Sequence, residues 1–228
     1  MESTRTTPAH PIRSVCVYCA SSTKIPAPYF EAADELGRLL GERGLNVVNG
    51  AGNIGLMRAV SDATLAAGGT VTGVIPHFMV EQNWYHKGLT KLIEVETMHE
   101  RKQTMANLSD ACIALPGGCG TLEELLEVIT WKQLGLYVNP IVILNVNHYF
   151  DPLLQLFDQA VQEQFMRPQH QRLWTVAESA AEALQRVLTS RCGILPCARS
   201  LLFSSQKVGS SPVLIQPYTQ KKGVNLLD

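Results

Sequence analysis

Short runs that are apolar on consecutive residues, separated by stretches of helical period, constrain this chain more than any other feature. The runs are "SVCVYCA" (14–20), "LNVVNG" (45–50), "TVTGVIP" (70–76), "KLIEVE" (91–96), "ACIALPG" (111–117) and "NPIVILNV" (139–146). A strand with one wet face alternates apolar and polar residues, whereas a strand covered on both faces has no reason to. The intervening segments, near 28–43, 54–68, 97–108, 121–136 and 151–166, supply the helices that would cover both faces. Strand and helix in alternation predict an α/β fold: a Rossmann-like, doubly wound parallel sheet with helices on both faces.

Helix signals sharpen this pattern. Asp151 can cap, Pro152 suits a first turn, and Leu153, Leu154, Phe157, Ala160 and Val161 form one stripe. Thr97 with Glu100, and Ser179 with Glu182, stand at capping-box spacing, the second pair opening a last helix near 178–190. The strand before 97 is expected beside the strand that ends at Pro116–Gly118, which would make Arg101 a neighbour of the loop 117–121. A flexible N-terminus over 1–12, one domain over 13–190 and a weakly patterned tail over 191–228 are expected. The tail is loosely ordered or docks on a partner subunit through "SPVLIQPY".

Several function classes drop out. A net charge of −1 gives no basis for capturing nucleic acid or an anionic membrane. "MESTRTTPAHPI" holds no apolar run, and the longest apolar stretches are too short to span a bilayer, so a soluble, cytoplasmic protein is expected. Cys16 and Cys19 form C-x-x-C within a strand, where buried thiols fit better than a metal or redox pair; Cys192 and Cys197 lie in the tail.

In this fold ligands bind at the carboxyl ends of the strands, where helix N-termini present free amides. Three such junctions are small or polar: "CASSTK" (19–24) with Ser21 and Ser22, "NGAGNIGLM" (49–57) with Gly50, Gly52 and Gly55, and "PGGCGT" (116–121). The second contains G-x-G-x-x-G, but it follows the second strand and lacks the acidic residue that binds ribose in dinucleotide sites. The third has no lysine after Gly120 and is therefore not a Walker loop. A nucleotide phosphate held by backbone amides and the Thr121 hydroxyl is the reading that remains. Arg101 is a cation near a helix N-terminus, a mildly unfavourable place that a bound phosphate would explain. For Glu124 two readings stand: a catalytic carboxylate, or the return partner in a Thr121–Glu124 capping box.

"PGGCGTLEE", "MHERK", "GLM" and "ITWKQLGLY" together resemble the Lonely Guy (LOG) family over residues 13–190. Its members are cytokinin riboside 5'-monophosphate phosphoribohydrolases, formerly labelled lysine decarboxylases. The resemblance implies a homodimer that hydrolyses the N-glycosidic bond of a purine riboside 5'-monophosphate such as AMP, without metal or redox cofactor. By position it implies Arg101 and Glu124 as the catalytic pair. It implies nucleotide contacts from Lys102, Gly118, Cys119, Gly120, Thr121 and Thr130, with Glu81 as a further match; Ser21, Gly52 and Gly117 on the glycine-rich and polar loops, and Glu123 at the helix start, join them as substrate-binding candidates. Ala51 stands where the family usually has glycine, as does Arg58, and "VEQNWYHKG" departs from the commonest plant pattern. Phe78, Met79, Trp84 and Tyr85 are candidates for recognising a prenyl group or for a dimer core. A molybdenum cofactor carrier, with the same fold and glycine-rich loops but no chemistry, is the alternative. The old decarboxylase label would require a Schiff-base lysine, and Lys102 is the only lysine near the site.

Overall fold

A computed structural model describes residues 11–190. Seven parallel strands form one sheet: β1 (Ser14–Tyr18), β2 (Asn46–Asn49), β3 (Thr70–Pro76), β4 (Lys91–Val95), β5 (Ala111–Ala114), β6 (Ile141–Leu144) and β7 (Thr175–Ala177). The helices are α1 (Ala27–Glu42), α2 (Gly55–Ala66), α3 (His77–Glu81), α4 (Met98–Asn107), α5 (Cys119–Gln133), α6 (Asp151–Gln162) and α7 (Ala180–Thr189). The doubly wound parallel sheet is as the apolar runs predict. The tail and the pair Cys192 and Cys197 lie outside the described residues, as does most of the N-terminal segment.

Strand alternation builds two cores. Val15 and Val17 of β1 face α1, α2 and α7, packing with Leu36, Leu40, Val60 and Leu184. Cys16 and Tyr18 face the opposite side, with Met105, Leu125, Val128 and Phe157 of α4, α5 and α6. Each fully buried aliphatic side chain contributes roughly 1.5–3 kcal/mol relative to exposure, so runs apolar on both faces are what a doubly covered sheet needs. The same alternation puts Cys16 and Cys19 in different cores, both as buried free thiols. Burial pushes both thiols well up from their ordinary range.

The strand order is β4-β3-β2-β1-β5-β6-β7. β1 pairs with β2 on one side and β5 on the other, so the winding reverses there and opens a crevice at their carboxyl ends. This order corrects one expectation: β4 is an edge strand, separated from β5 by β3, β2 and β1, and does not lie beside it. Arg101 still reaches the crevice, because α4 runs back across the sheet and its guanidinium bridges carbonyls belonging to β3 and the end of β2. Two elements escaped the periodicity, α3 and β7, which are five and three residues long. Asp151 opens α6 as its first helical residue, with Phe150 as the cap, and its carboxylate accepts from Asn145 Nδ2 at 2.7 Å. Among the described residues no helix is long and apolar enough to cross a membrane.

Candidate active site

The crevice at the winding reversal is a cavity of about 530 Å3, within the ordinary size range of a small-molecule site. Its polar wall comes from Ser21 and Ser22 after β1, Gly50, Gly52 and Asn53 after β2, and Gly118, Gly120 and Thr121 at the start of α5. Arg101 and Glu124 complete that wall, and Ile54, Met57, Met79 and Trp84 form an apolar end.

Helix α5 starts at Cys119 with Gly118 as its cap, and no side chain caps it. The capping-box reading of Thr121 and Glu124 therefore fails, since both residues are inside the helix. They share its buried stripe with Leu125, Val128 and Ile129. The first amides of a helix have no intrahelical acceptor, and here they open onto the cavity. A Cβ on Gly118 or Gly120 would meet no protein atom within 4 Å, so side chains there would project into cavity space.

Arg101 comes from the first turns of α4 and is only 6% exposed. Its Nε donates to Val74 O at 3.1 Å and Nη2 to Gly50 O at 3.1 Å, while Nη1 meets Glu124 Oε1 at 3.4 Å. All three edges of the guanidinium are thus engaged, which fixes its plane. Gly50 is a glycine for this reason: a Cβ there would collide with the guanidinium. Gly55, at φ 65°, turns the chain into α2 against the Ser21 backbone. The amides of Leu56 and Met57 donate to Ala20 O, joining the first two loops.

Burial pushes the Glu124 carboxyl up to about 7 from an ordinary 4.5, even though the Arg101 charge pulls the other way. Glu123 adds a smaller upward push. At neutral pH the group is poised between acid and carboxylate, as a working acid–base or charge-stabilising residue should be.

The other expected site residues lie apart from this cavity in the single chain. Lys102 Nζ is 2.6 Å from Glu123 Oε1 and 3.1 Å from Glu127 Oε2, tying α4 to α5. Glu81 is exposed at the end of α3 and pairs with His77 at 3.6 Å. Thr130 is exposed on α5, its hydroxyl donating to Leu126 O. Cys119 is exposed, and buried Gly117 accepts from the Tyr149 hydroxyl at 2.8 Å. Of the aromatic candidates, Trp84 lines the cavity with Met79, whereas Phe78 and Tyr85 do not. Asn53, Ile54 and Met57 were not anticipated, although an apolar pair following a glycine loop at a strand's carboxyl end was a usable signal. Met57 Sδ accepts from Gly52 N at 2.9 Å.

Comparisons with known proteins bear on this geometry. A family model described as "Possible lysine decarboxylase" matches residues 57–187. The chain is 47% identical over 172 residues to the probable cytokinin riboside 5'-monophosphate phosphoribohydrolase LOGL5 of Oryza sativa subsp. japonica, covering 75% of this chain and 70% of that one. It is 45% identical over 175 residues to the cytokinin riboside 5'-monophosphate phosphoribohydrolase LOG5 of Arabidopsis thaliana, covering 77% of each. Among solved structures, the molybdenum cofactor carrier protein of Chlamydomonas reinhardtii aligns with TM-score 0.58 at 21% identity, over 76% of this chain and 94% of that one. At that identity the likeness concerns the fold alone. No lysine lines the cavity among the described residues, so nothing there suits Schiff-base chemistry.

Proposed function

The chain belongs to the Lonely Guy family of cytokinin riboside 5'-monophosphate phosphoribohydrolases, and from that premise we propose that it hydrolyses the N-glycosidic bond of purine riboside 5'-monophosphates. The products are free base and ribose 5-phosphate. One observation carries the reading: a buried carboxylate, Glu124, stands in the same cavity wall as a helix N-terminus suited to phosphate. A binder of phosphorylated ligands has no use for a carboxylate beside an anion, which leaves the carrier alternative with a shared fold only.

In this reading the 5'-phosphate sits on the first amides of α5, with the Thr121 hydroxyl and the helix dipole adding to them. The ribose then lies over Glu124 and Arg101, and the base occupies the apolar end at Ile54, Met57, Met79 and Trp84. As the base departs, C1' takes on oxocarbenium character. The Glu124 carboxylate stabilises that charge or orients the attacking water, and either role requires the ionised form. Arg101 keeps that carboxylate in place from its own three-point anchorage and lowers its pKa, holding it available near neutrality. This scheme uses neither metal nor redox cofactor, so a chelator should leave the rate unchanged.

In this reading the protein is cytoplasmic and acts as a homodimer; exposed Leu126, Leu134 and Leu136, along and just beyond α5, support the dimer. Glu81 and Thr130 face away from the cavity of a single chain, so they touch nucleotide only if a second copy brings them to it. Light scattering coupled to size exclusion tests the dimer. Incubation with AMP tests the reaction: adenine and ribose 5-phosphate should appear one to one. Tight binding of AMP with neither product would contradict it.

A further inference from the structure

A strap, residues 82–88, crosses the second glycine loop and carries Trp84 into the apolar end where the base sits. Resting on the phosphoribohydrolase reading, we infer that the Asp62–His86 clamp on this strap is a positioning device. It sets Trp84 as the wall that discriminates N6-alkylated from plain adenine nucleotides.

The strap is laced to the loop by backbone: His86 N donates to Ala51 O at 2.8 Å, and Tyr85 forms an antiparallel bridge with Gly52. Asn53 Nδ2 also donates to Asn83 O at 3.1 Å. Outside that bridge the strap belongs to no helix or strand, so its side chains need a rigid reference. His86 provides one. Its ring is 12% exposed, Nε2 lies 2.7 Å from Asp62 Oδ1, and Nδ1 accepts from Gly88 N at 3.0 Å. Because Nδ1 accepts, the proton is on Nε2, which donates to the carboxylate. Arg58 Nε, one turn earlier on α2, fills the other Asp62 oxygen at 3.1 Å and holds the carboxylate facing the strap. Arg58 thereby acquires a use at a position where the family often has glycine.

Helix α2 begins next to Ile54 and carries Met57, which lines the same apolar end as Trp84. The clamp therefore refers both of these lining residues to a single helix. The spacing between Trp84 and Met57 becomes a fixed width, and apolar slots of fixed width discriminate modestly but measurably between substituents.

Initial rates on AMP and on N6-isopentenyladenosine 5'-monophosphate test this for the wild type, His86→Ala, His86→Gln and Trp84→Ala. His86→Ala should raise the KM of the alkylated substrate relative to AMP by about tenfold, while kcat on the two substrates moves in parallel. His86→Gln keeps an N–H donor at the Nε2 position and should recover most of that ratio. Trp84→Ala should lose the discrimination outright. Equal changes in KM on both substrates, or none, would overturn the clamp alone. No base release by the wild type would overturn the hydrolase reading and the clamp with it.

Discussion

Replacing Glu124 by Gln separates the cost of the site from its use. The residue is 8% exposed, and burial holds its carboxyl at about 7 instead of 4.5. The folded state therefore binds this proton more tightly than the unfolded state does. Between pH 4.5 and 7 the native chain holds more protons, so the group's contribution to stability falls as pH rises and levels off above 7. At pH 8.5 the ionised carboxylate costs the fold about 3 kcal/mol relative to the neutral acid, on the order of 1.4 kcal/mol for each tenfold in proton affinity. Glutamine imitates the neutral acid and can still accept from Arg101. The variant should match wild-type stability near pH 5 and exceed it at pH 8.5, with a melting temperature higher by roughly 5–10 °C. Turnover should drop by a factor of about 100 or more over the whole range. Thermal melts at the two pH values, with base release from AMP measured in parallel, provide the check. A variant less stable than wild type at pH 8.5 would refute the reasoning, because the Arg101–Glu124 pair would then outweigh its desolvation.

Other consequences are equally concrete. In the wild type, kcat/KM should rise with pH through about 7 as Glu124 ionises, and Arg101→Gln should move that rise to higher pH, since the lost cation had been lowering the carboxyl's pKa. A rate profile flat from pH 5.5 to 8.5 would contradict both statements. Gly50→Ala puts a methyl into the Arg101 guanidinium; it should destabilise the fold by about 1–3 kcal/mol and remove most activity, read by denaturant titration and base release. Gly120→Ala meets no protein atom, so stability should hold or rise by about 0.5–1 kcal/mol while KM for AMP climbs at least about tenfold. Loss of stability there would mean that the space beside α5 is not open to ligand.

The fold was legible because the central strands β1, β2, β5 and β6 are buried on both faces, which leaves runs of consecutive apolar residues. Strand order was less so. A helical connection of given length can return a chain to either side of its predecessor, and β4's place at the edge follows from how α4 crosses the sheet. The short α3 and β7 complete no period. At the site, glycine spacing marked the loops that line the cavity, but the Thr121–Glu124 spacing looked like a cap because the helix was expected two residues late. A better signal was present. Glu124 lies on the same helical stripe as Leu125 and Val128, and Arg101 lies on the stripe of Met105, so two helices carry opposite charges where their period calls for apolar residues. Buried opposite charges on facing helices need a reason, and the cavity supplies it. Half of the apolar end escaped: Met79 and Trp84 were among the candidates, but Ile54 and Met57 read simply as the start of an amphipathic helix.

Hydrolysis of a phosphate-anchored nucleotide is tested by comparing kcat/KM for AMP and N6-isopentenyladenosine 5'-monophosphate with the corresponding free nucleosides, chelator present throughout. Base release is expected from both monophosphates, with the nucleosides slower by a factor of about 1,000 or more because the α5 amides have nothing to hold. Nucleosides cleaved as fast as the monophosphates, or no cleavage of either, would contradict it.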